Sequence, residues 1–306
     1  MKYNVRKNYG MTLKELGKDD ESIVVFDADL SGSTNTALFG AEFPSRFFNM
    51  GICEQDMVAT AAGMAACGKR PYVSTFCAFV PGRAFDQVRM CVAYPGLNVK
   101  FISTHGGISV GKDGASHHAN EDLSMMRTLP NMKIFVPSDP FSTEETIRYI
   151  HSIDSPCYVR LFRDSVEEIY DRESPLDPTK AQVLLDGDDV AIISCGFSTH
   201  SALEAAKKLS SQGVSAMVLD VMSLRPFDAE GVIAAAKRCG RVLTVEDHSI
   251  RAGLGGCVCE YLSERHPTIV KRLGIRRFAE SGSPEELYEK YGLSVNSIIS
   301  HAKELL

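Results

Sequence analysis

No stretch of the chain is rich in lysine and arginine, and the formal charge is −6 over 306 residues. A nucleic acid or an anionic membrane surface therefore finds no electrostatic support as a partner. Phosphorylated small molecules stay open, because a few well-placed basic side chains suffice for them. No run of about 18 apolar residues occurs, and the first residues lack the apolar core of a signal peptide, so a soluble, cytoplasmic protein without membrane association is expected. The chain also has no C-x-x-C pair. Its nine cysteines are odd in number and sit mostly in apolar runs. That reads as buried thiols of a reducing compartment, with neither a disulfide frame nor a zinc site, and no metal ligands are assigned. Gly253-Leu254-Gly255-Gly256 fails the G-x-G-x-x-G spacing, since position 258 is valine. It reads as a tight turn into a helix, not a dinucleotide loop.

What is there is ordinary for a globular chain: 44% hydrophobic and 24% charged residues, long enough for two domains. Short apolar runs alternate with helical patterns. Strands are expected at 22–26, 46–50, 71–76, 98–104, 132–136 and 157–161, then at 190–196, 215–221 and 241–246. Helices are expected after Glu54 and at 82–93, 120–127, 142–151, 198–211 and 228–239. Lys14–Glu21 reads as a charged turn. The polar, proline-bearing segment from Arg163 reads as a linker. This alternation predicts an α/β protein of two doubly wound domains, each with a mostly parallel sheet: residues 1–162, a linker at 163–188, and residues 189–306.

Three stretches carry chemistry. Glu54 follows the apolar run Phe47-Phe48-Asn49-Met50-Gly51-Ile52-Cys53 and opens the small-residue helix Met57–Ala66. A carboxylate there is expected to be poorly solvated, with raised proton affinity; a salt-bridged glutamate at a helix start is the plainer reading of the stretch in isolation. Phe76 and Phe79 lie three apart at a strand end, able to stack on a flat heterocycle or simply to fill a core. His105–His118 holds four glycines and three of the eight histidines, a loop suited to proton transfer or phosphate contacts.

Taken in order, Asp27-Ala28-Asp29-Leu30-Ser31, Gly51-Ile52-Cys53-Glu54-Gln55, Ser74-Thr75-Phe76-x-x-Phe79 and Thr104-His105 … Gly111-x-Asp113-Gly114-x-Ser116-His117 resemble the C-terminal half of transketolase. Leu224-Arg225-Pro226-Phe227-Asp228 and Val245-Glu246-Asp247-His248 look like that family's C-terminal domain. The resemblance implies thiamine diphosphate and Mg²⁺ as cofactors and transfer of a two-carbon ketol unit between sugar phosphates. It implies that Glu54 bonds the pyrimidine N1′ and activates the cofactor, that Phe76 and Phe79 pack on the ring, and that Leu30 and Asp29 prop and orient it. His117 joins Glu54 as a catalytic residue. The substrate phosphate would meet Arg6, Ser33, His105 and Arg160, and Asp113 and His117 would bond sugar hydroxyls.

The G-D-G diphosphate motif of such enzymes is missing, since Lys112-Asp113-Gly114 lies in the substrate loop. The expected partner is therefore an N-terminal transketolase subunit carrying the diphosphate domain and the Mg²⁺ ligands, in a heterotetramer with two copies of each. Gly82, Gly106 and His118 depart from the family's usual tyrosine, aspartate and glutamine. The alternatives are a 2-oxo acid dehydrogenase β subunit, a deoxyxylulose-phosphate synthase-like subunit, and a catalytically silent scaffold.

Overall fold

The computed structural model describes residues 2–306. Strands β1 (Ile23–Asp27), β2 (Phe47–Asn49), β3 (Arg70–Phe76), β4 (Lys100–Thr104), β5 (Lys133–Phe135) and β6 (Cys157–Arg160) pair in parallel throughout. Both faces of this sheet are covered, so its strands read as apolar runs without a polar side. Ile23 and Val25 of β1 meet α1 (Val5–Asp19), while Val24 and Phe26 meet α2 (Glu54–Ala66) and α3 (Val80–Gln87), as the period-two alternation of side chains requires. Further helices are α4 (Asp122–Arg127) and α5 (Pro140–Ser152), the latter with Asp139 as a capping-box N-cap.

The second unit contains β7 (Gln182–Leu185), β8 (Val190–Ser194), β9 (Ala216–Asp220), β10 (Ser223–Arg225), β11 (Arg241–Ser249) and β12 (Ile269–Ile275). Five of them form a sheet in the order β12-β11-β8-β9-β7, parallel except for β7. Helices α6 (Ser198–Ser210), α7 (Ala229–Cys239), α8 (Leu254–Arg265), α9 (Pro284–Lys290) and α10 (Val295–Lys303) complete it. The fold is thus α/β with two mostly parallel sheets, as expected.

The units are more entwined than the sequence suggests. β10 leaves its own sheet and pairs antiparallel with β5, giving the first sheet the order β10-β5-β6-β4-β3-β1-β2. One apolar core runs from Phe26, Val73 and Tyr158 to Ile193, Leu219 and Val242. Residues 163–188 are not a bare linker: Ser165–Val166 pair with Tyr3–Asn4, and β7 edges the second sheet. The charged stretch 14–21 is not a turn either. Val5, Tyr9 and Leu13 give α1 a buried stripe, Asn4 caps it, and the charged residues form its last turn.

Of the nine thiols, all free, Cys53 and Cys67 are exposed, against the expectation of burial. Gly253–Gly256 does open a helix, and the Glu246 carboxylate takes the free amides of Leu254 and Gly255 at 2.7 and 2.9 Å. Among the described residues no helix is long and apolar enough to cross a membrane.

Candidate active site

The C-terminal ends of β1, β2, β3 and β4 meet on one edge of the first sheet, where open α/β folds gather their ligands. β1 ends in Asp27, whose buried carboxylate receives the Leu30 amide at 2.6 Å and the hydroxyls of Thr34 and Thr36 at 2.7 and 2.8 Å. This fixes the turn that follows. Within it Asp29 adopts φ 61° and exchanges hydrogen bonds of 3.1 Å with Asn49 at the end of β2. A non-glycine residue in the left-handed region persists only where its surroundings hold it. Leu30 stands half-exposed beside it.

Glu54 is the first residue of α2 and 4% exposed. Its Oε1 receives Arg83 Nη1 at 2.7 Å. The Arg83 guanidinium lies over the Phe79 ring, 3.8 Å from its centroid. Glu54 is thus both buried at the head of an apolar helix and salt-bridged. Phe76 and Phe79 stack at 5.6 Å with an interplanar angle of 23°. His105 covers Phe76 at 4.0 Å, and His117 stands edge-on to Phe79 at 5.3 Å and to Phe76 at 6.1 Å. Two phenylalanines, two imidazoles and one carboxylate therefore share a single seat. The seat fits the pyrimidine of thiamine diphosphate, because a planar nitrogenous group already lies on Phe79 with an N–H directed at Glu54. Arg83 was not foreseen, although it stands four residues after Phe79, on the same helix face.

His105 adopts φ 64° and is buried, with its Nδ1 2.8 Å from the Thr104 hydroxyl. Burial, and then the charges of Arg6 and Arg163, push its imidazole down to about 3, so it is neutral near pH 7. Arg6, in the first turn of α1, donates to the Ser33 carbonyl at 2.6 Å and the Arg163 carbonyl at 3.3 Å. Its Nε is buried without a partner. Arg163 donates to the Val110 carbonyl at 2.6 Å and lies 3.5 Å from the exposed carboxylate of Asp113. Burial and Arg163 lower the proton affinity of Arg6, whereas Asp164 raises it. Two crowded guanidiniums with an unused donor beside a neutral imidazole are the donor set for an anion.

Arg160 is not part of this group. It is 6% exposed, and its guanidinium is committed to Asp122 Oδ2 at 2.9 Å and to the carbonyls of Ala119 and Asp247 at 2.8 Å each. It ends β6 facing the interior, whereas Arg163 lies past the strand end, on the side of His105.

The departures also find physical causes. A Cβ at Gly106 would fall 2.7 Å from Arg160 Nε and Cζ, so an aspartate has no room there. A Cβ at Gly82 would meet nothing within 4 Å. His118 is buried and turns back onto the Gly111 carbonyl at 3.2 Å. Among the described residues no cluster of three His, Cys, Asp or Glu could hold a metal ion. Two hollows, of about 570 and 620 Å³, lie away from Glu54, around Tyr94 and Leu129 and around Phe197 and His200.

Residues 1–168 match the family model for the pyrimidine binding domain of transketolase, and residues 179–298 match the transketolase C-terminal domain. A transketolase C-terminal section from Methanocaldococcus jannaschii is 45% identical over 98% of this chain and 95% of its own length. The 6-deoxy-6-sulfo-D-fructose transketolase subunit of a Clostridium species is 37% identical over 98% of this chain and 94% of its own. The chain spans about half the length of the mouse transketolase-like protein 2, 48%. Among solved structures, a split gene transketolase described as an inactive β4 tetramer superposes with a TM-score of 0.92 at 44% identity, covering 99% of this chain and 98% of that one.

Proposed function

The chain belongs to the transketolase family, and on that premise we propose that it is the pyrimidine-holding subunit of a split, thiamine diphosphate-dependent transketolase. The observation that carries this reading is the Glu54–Phe79 seat, with its planar N–H donor already in place. When bound, thiamine diphosphate supplies the nucleophilic thiazolium carbon that accepts and passes on a two-carbon ketol unit.

In this reading Glu54 holds a proton shared with the pyrimidine N1′, at a buried position where such a hydrogen bond is strong. Phe79 and Phe76 give the ring an apolar wall and exclude water from that face. Leu30, in the turn after β1, would support the cofactor, and Asp29, held in the left-handed region, would orient it. His117, half-exposed and edge-on to both phenylalanines, hydrogen-bonds sugar oxygens beside the ring and exchanges protons with them, together with Asp113. Arg6, Ser33 and His105 receive the substrate phosphate, and Arg163 takes the role first given to Arg160. The Mg²⁺ ligands and the diphosphate site belong to a second subunit. The naming of a relative of nearly equal length as a transketolase subunit supports that division.

Co-expression with such a subunit, followed by a donor–acceptor panel, tests the proposal. The wild-type complex, expected at two copies of each chain by light scattering, should turn over sugar phosphates with thiamine diphosphate and Mg²⁺. Glu54→Ala should assemble equally well and lose at least about a hundredfold in turnover. Turnover near wild type in that variant would refute the assignment. Decarboxylation of a 2-oxo acid without a sugar acceptor would move the chain to the dehydrogenase β subunits.

A further inference from the structure

The loop that carries Asp113 and His117 is held from outside its own unit. Ile108 donates its backbone N–H to Asp247 Oδ1 at 2.9 Å, and Tyr288 of α9 donates its hydroxyl to Asp247 Oδ2 at 2.8 Å. Gly107, at φ 83°, comes so close that an added Cβ would stand 2.0 Å from that same oxygen. At the far end of the loop, Arg160 joins the Ala119 carbonyl to the Asp247 carbonyl. Its middle rests on the segment before α9: a Cβ at Gly111 would lie 3.2 Å from the Gly282 carbonyl, and one at Gly114 would lie 2.4 Å from Ser281 Oγ.

Asp247 lies in β11 where the register with β12 shifts, between Val245 and Ser249. Such irregularities re-aim a side chain out of its strand's normal pattern. Here the carboxylate leaves the second unit and reaches the loop of the first. The loop starts at His105 in the left-handed region, a conformation that has to be maintained by contacts.

We propose that Asp247 is a positioning residue for sugar binding: the second unit, through its carboxylate and Tyr288, clamps loop 105–118 so that Asp113 and His117 stand ready beside the cofactor seat. This rests on the functional reading above. It assigns the second unit a part in substrate affinity though it offers no side chain to the reacting atoms.

The test uses the full chain, alone and in complex with the diphosphate-binding subunit. In Asp247→Ala, amide hydrogen exchange of the 106–118 segment should accelerate by about tenfold or more, the effect of losing one hydrogen bond to a charged acceptor. The KM for the sugar phosphate should rise by a similar factor and kcat should fall with it, because His117 rides on the same loop, while thiamine diphosphate affinity stays within about twofold of wild type. Asp247→Asn keeps an acceptor for Ile108 and a partner for Tyr288 and should restore these quantities; Tyr288→Phe should move them in the same direction by less. Unchanged exchange in Asp247→Ala overturns the clamp. So does faster exchange with unchanged KM, or an asparagine variant as impaired as alanine. If the wild-type complex turned over no sugar phosphate, the functional reading would fall, and the clamp would be judged on exchange in the chain alone.

Discussion

At Arg83 the side chain that pairs with Glu54 also lies where a cofactor ring would stack. On the proposed reading, ring and guanidinium would compete for the same carboxylate and the same aromatic face. A half-exposed ion pair contributes up to about 1 kcal/mol, and a cation over a phenyl ring ~0.5–1 kcal/mol at such sites. Arg83→Ala should therefore tighten thiamine diphosphate binding to the assembled complex by about tenfold, measured by calorimetry. Weaker binding would mean that the arginine stays and helps to hold the ring.

The two arginines three residues apart separate in the same way. Arg163→Ala should raise the KM for the phosphorylated sugar by about tenfold or more, with the fold intact by circular dichroism, as loss of a charge-assisted hydrogen bond would. Arg160→Ala strands the buried carboxylate of Asp122 and should cost about 3–5 kcal/mol in chemical denaturation. The order of the motifs singles out Glu54, Phe76, Phe79 and the histidine loop, and the fold brings Phe76, Phe79, His105 and His117 together. The choice between Arg160 and Arg163 was not legible, because a residue type says nothing of which way a strand end faces. The rule that ligands sit beyond strand ends, applied strictly, favours Arg163.

Among the elements, α1 is one that sequence patterning misjudged. Its last turn is so charged that it resembles a loop, while its first half carries the apolar stripe and the cap. Asn4 Oδ1 takes the amides of Arg6 and Lys7 at 2.9 and 3.3 Å, and Arg6 is the residue that reaches Ser33. Asn4→Ala should cost about 1 kcal/mol of stability, the usual worth of such a cap. It should also raise the KM for sugar phosphate, because fraying of the first turn displaces Arg6. A stability loss without a KM change would mean that Arg6 is held by its own hydrogen bonds. The strands were easier to read: with both faces buried, β1 is apolar from Ile23 to Phe26, and β3 and β4 carry apolar centres at Tyr72–Val73 and Phe101–Ile102. β12 and helices α9 and α10 went unread, because Lys271 and Arg272 interrupt β12 and charged residues crowd α9.

Over the whole molecule, buried polar groups at the contact between the units set the response to pH. Burial pushes the Asp220 carboxyl up to about 7, although Tyr170, Ser138 and Thr199 donate to it at 2.6, 2.8 and 3.0 Å. Glu246, likewise buried, is raised to about 7. An acid whose folded pKa is raised binds its proton more tightly in the native state, so its contribution is fully present below the unfolded value near 3.8 and is lost as pH rises through about 7. Buried His248, pushed down to about 4, works oppositely, and its contribution is lost as pH falls from 6.5 toward 4. Between about pH 4.5 and 6.5 the two acids outweigh the one histidine, so these three groups together should lower wild-type stability as pH rises. Asp220→Asn should flatten that fall, removing a slope of up to ~1.4 kcal/mol per pH unit. Melting temperatures taken from pH 4 to 8 check this; an unchanged slope would show that Asp220 is ionised throughout.

The exchange of β10 into the first sheet has one more consequence. Covalently the chain looks like two lobes on a tether. As a folding unit it is closer to two hands with one finger interlaced, because residues 223–225 complete a sheet whose other strands all lie before residue 161. Proteolytic nicking in the exposed stretch around Asp171–Glu173 would then sever the tether without releasing the lobes. The fragments would stay together through gel filtration and melt in a single transition, and neither half, made alone, would have a finished surface to show to water.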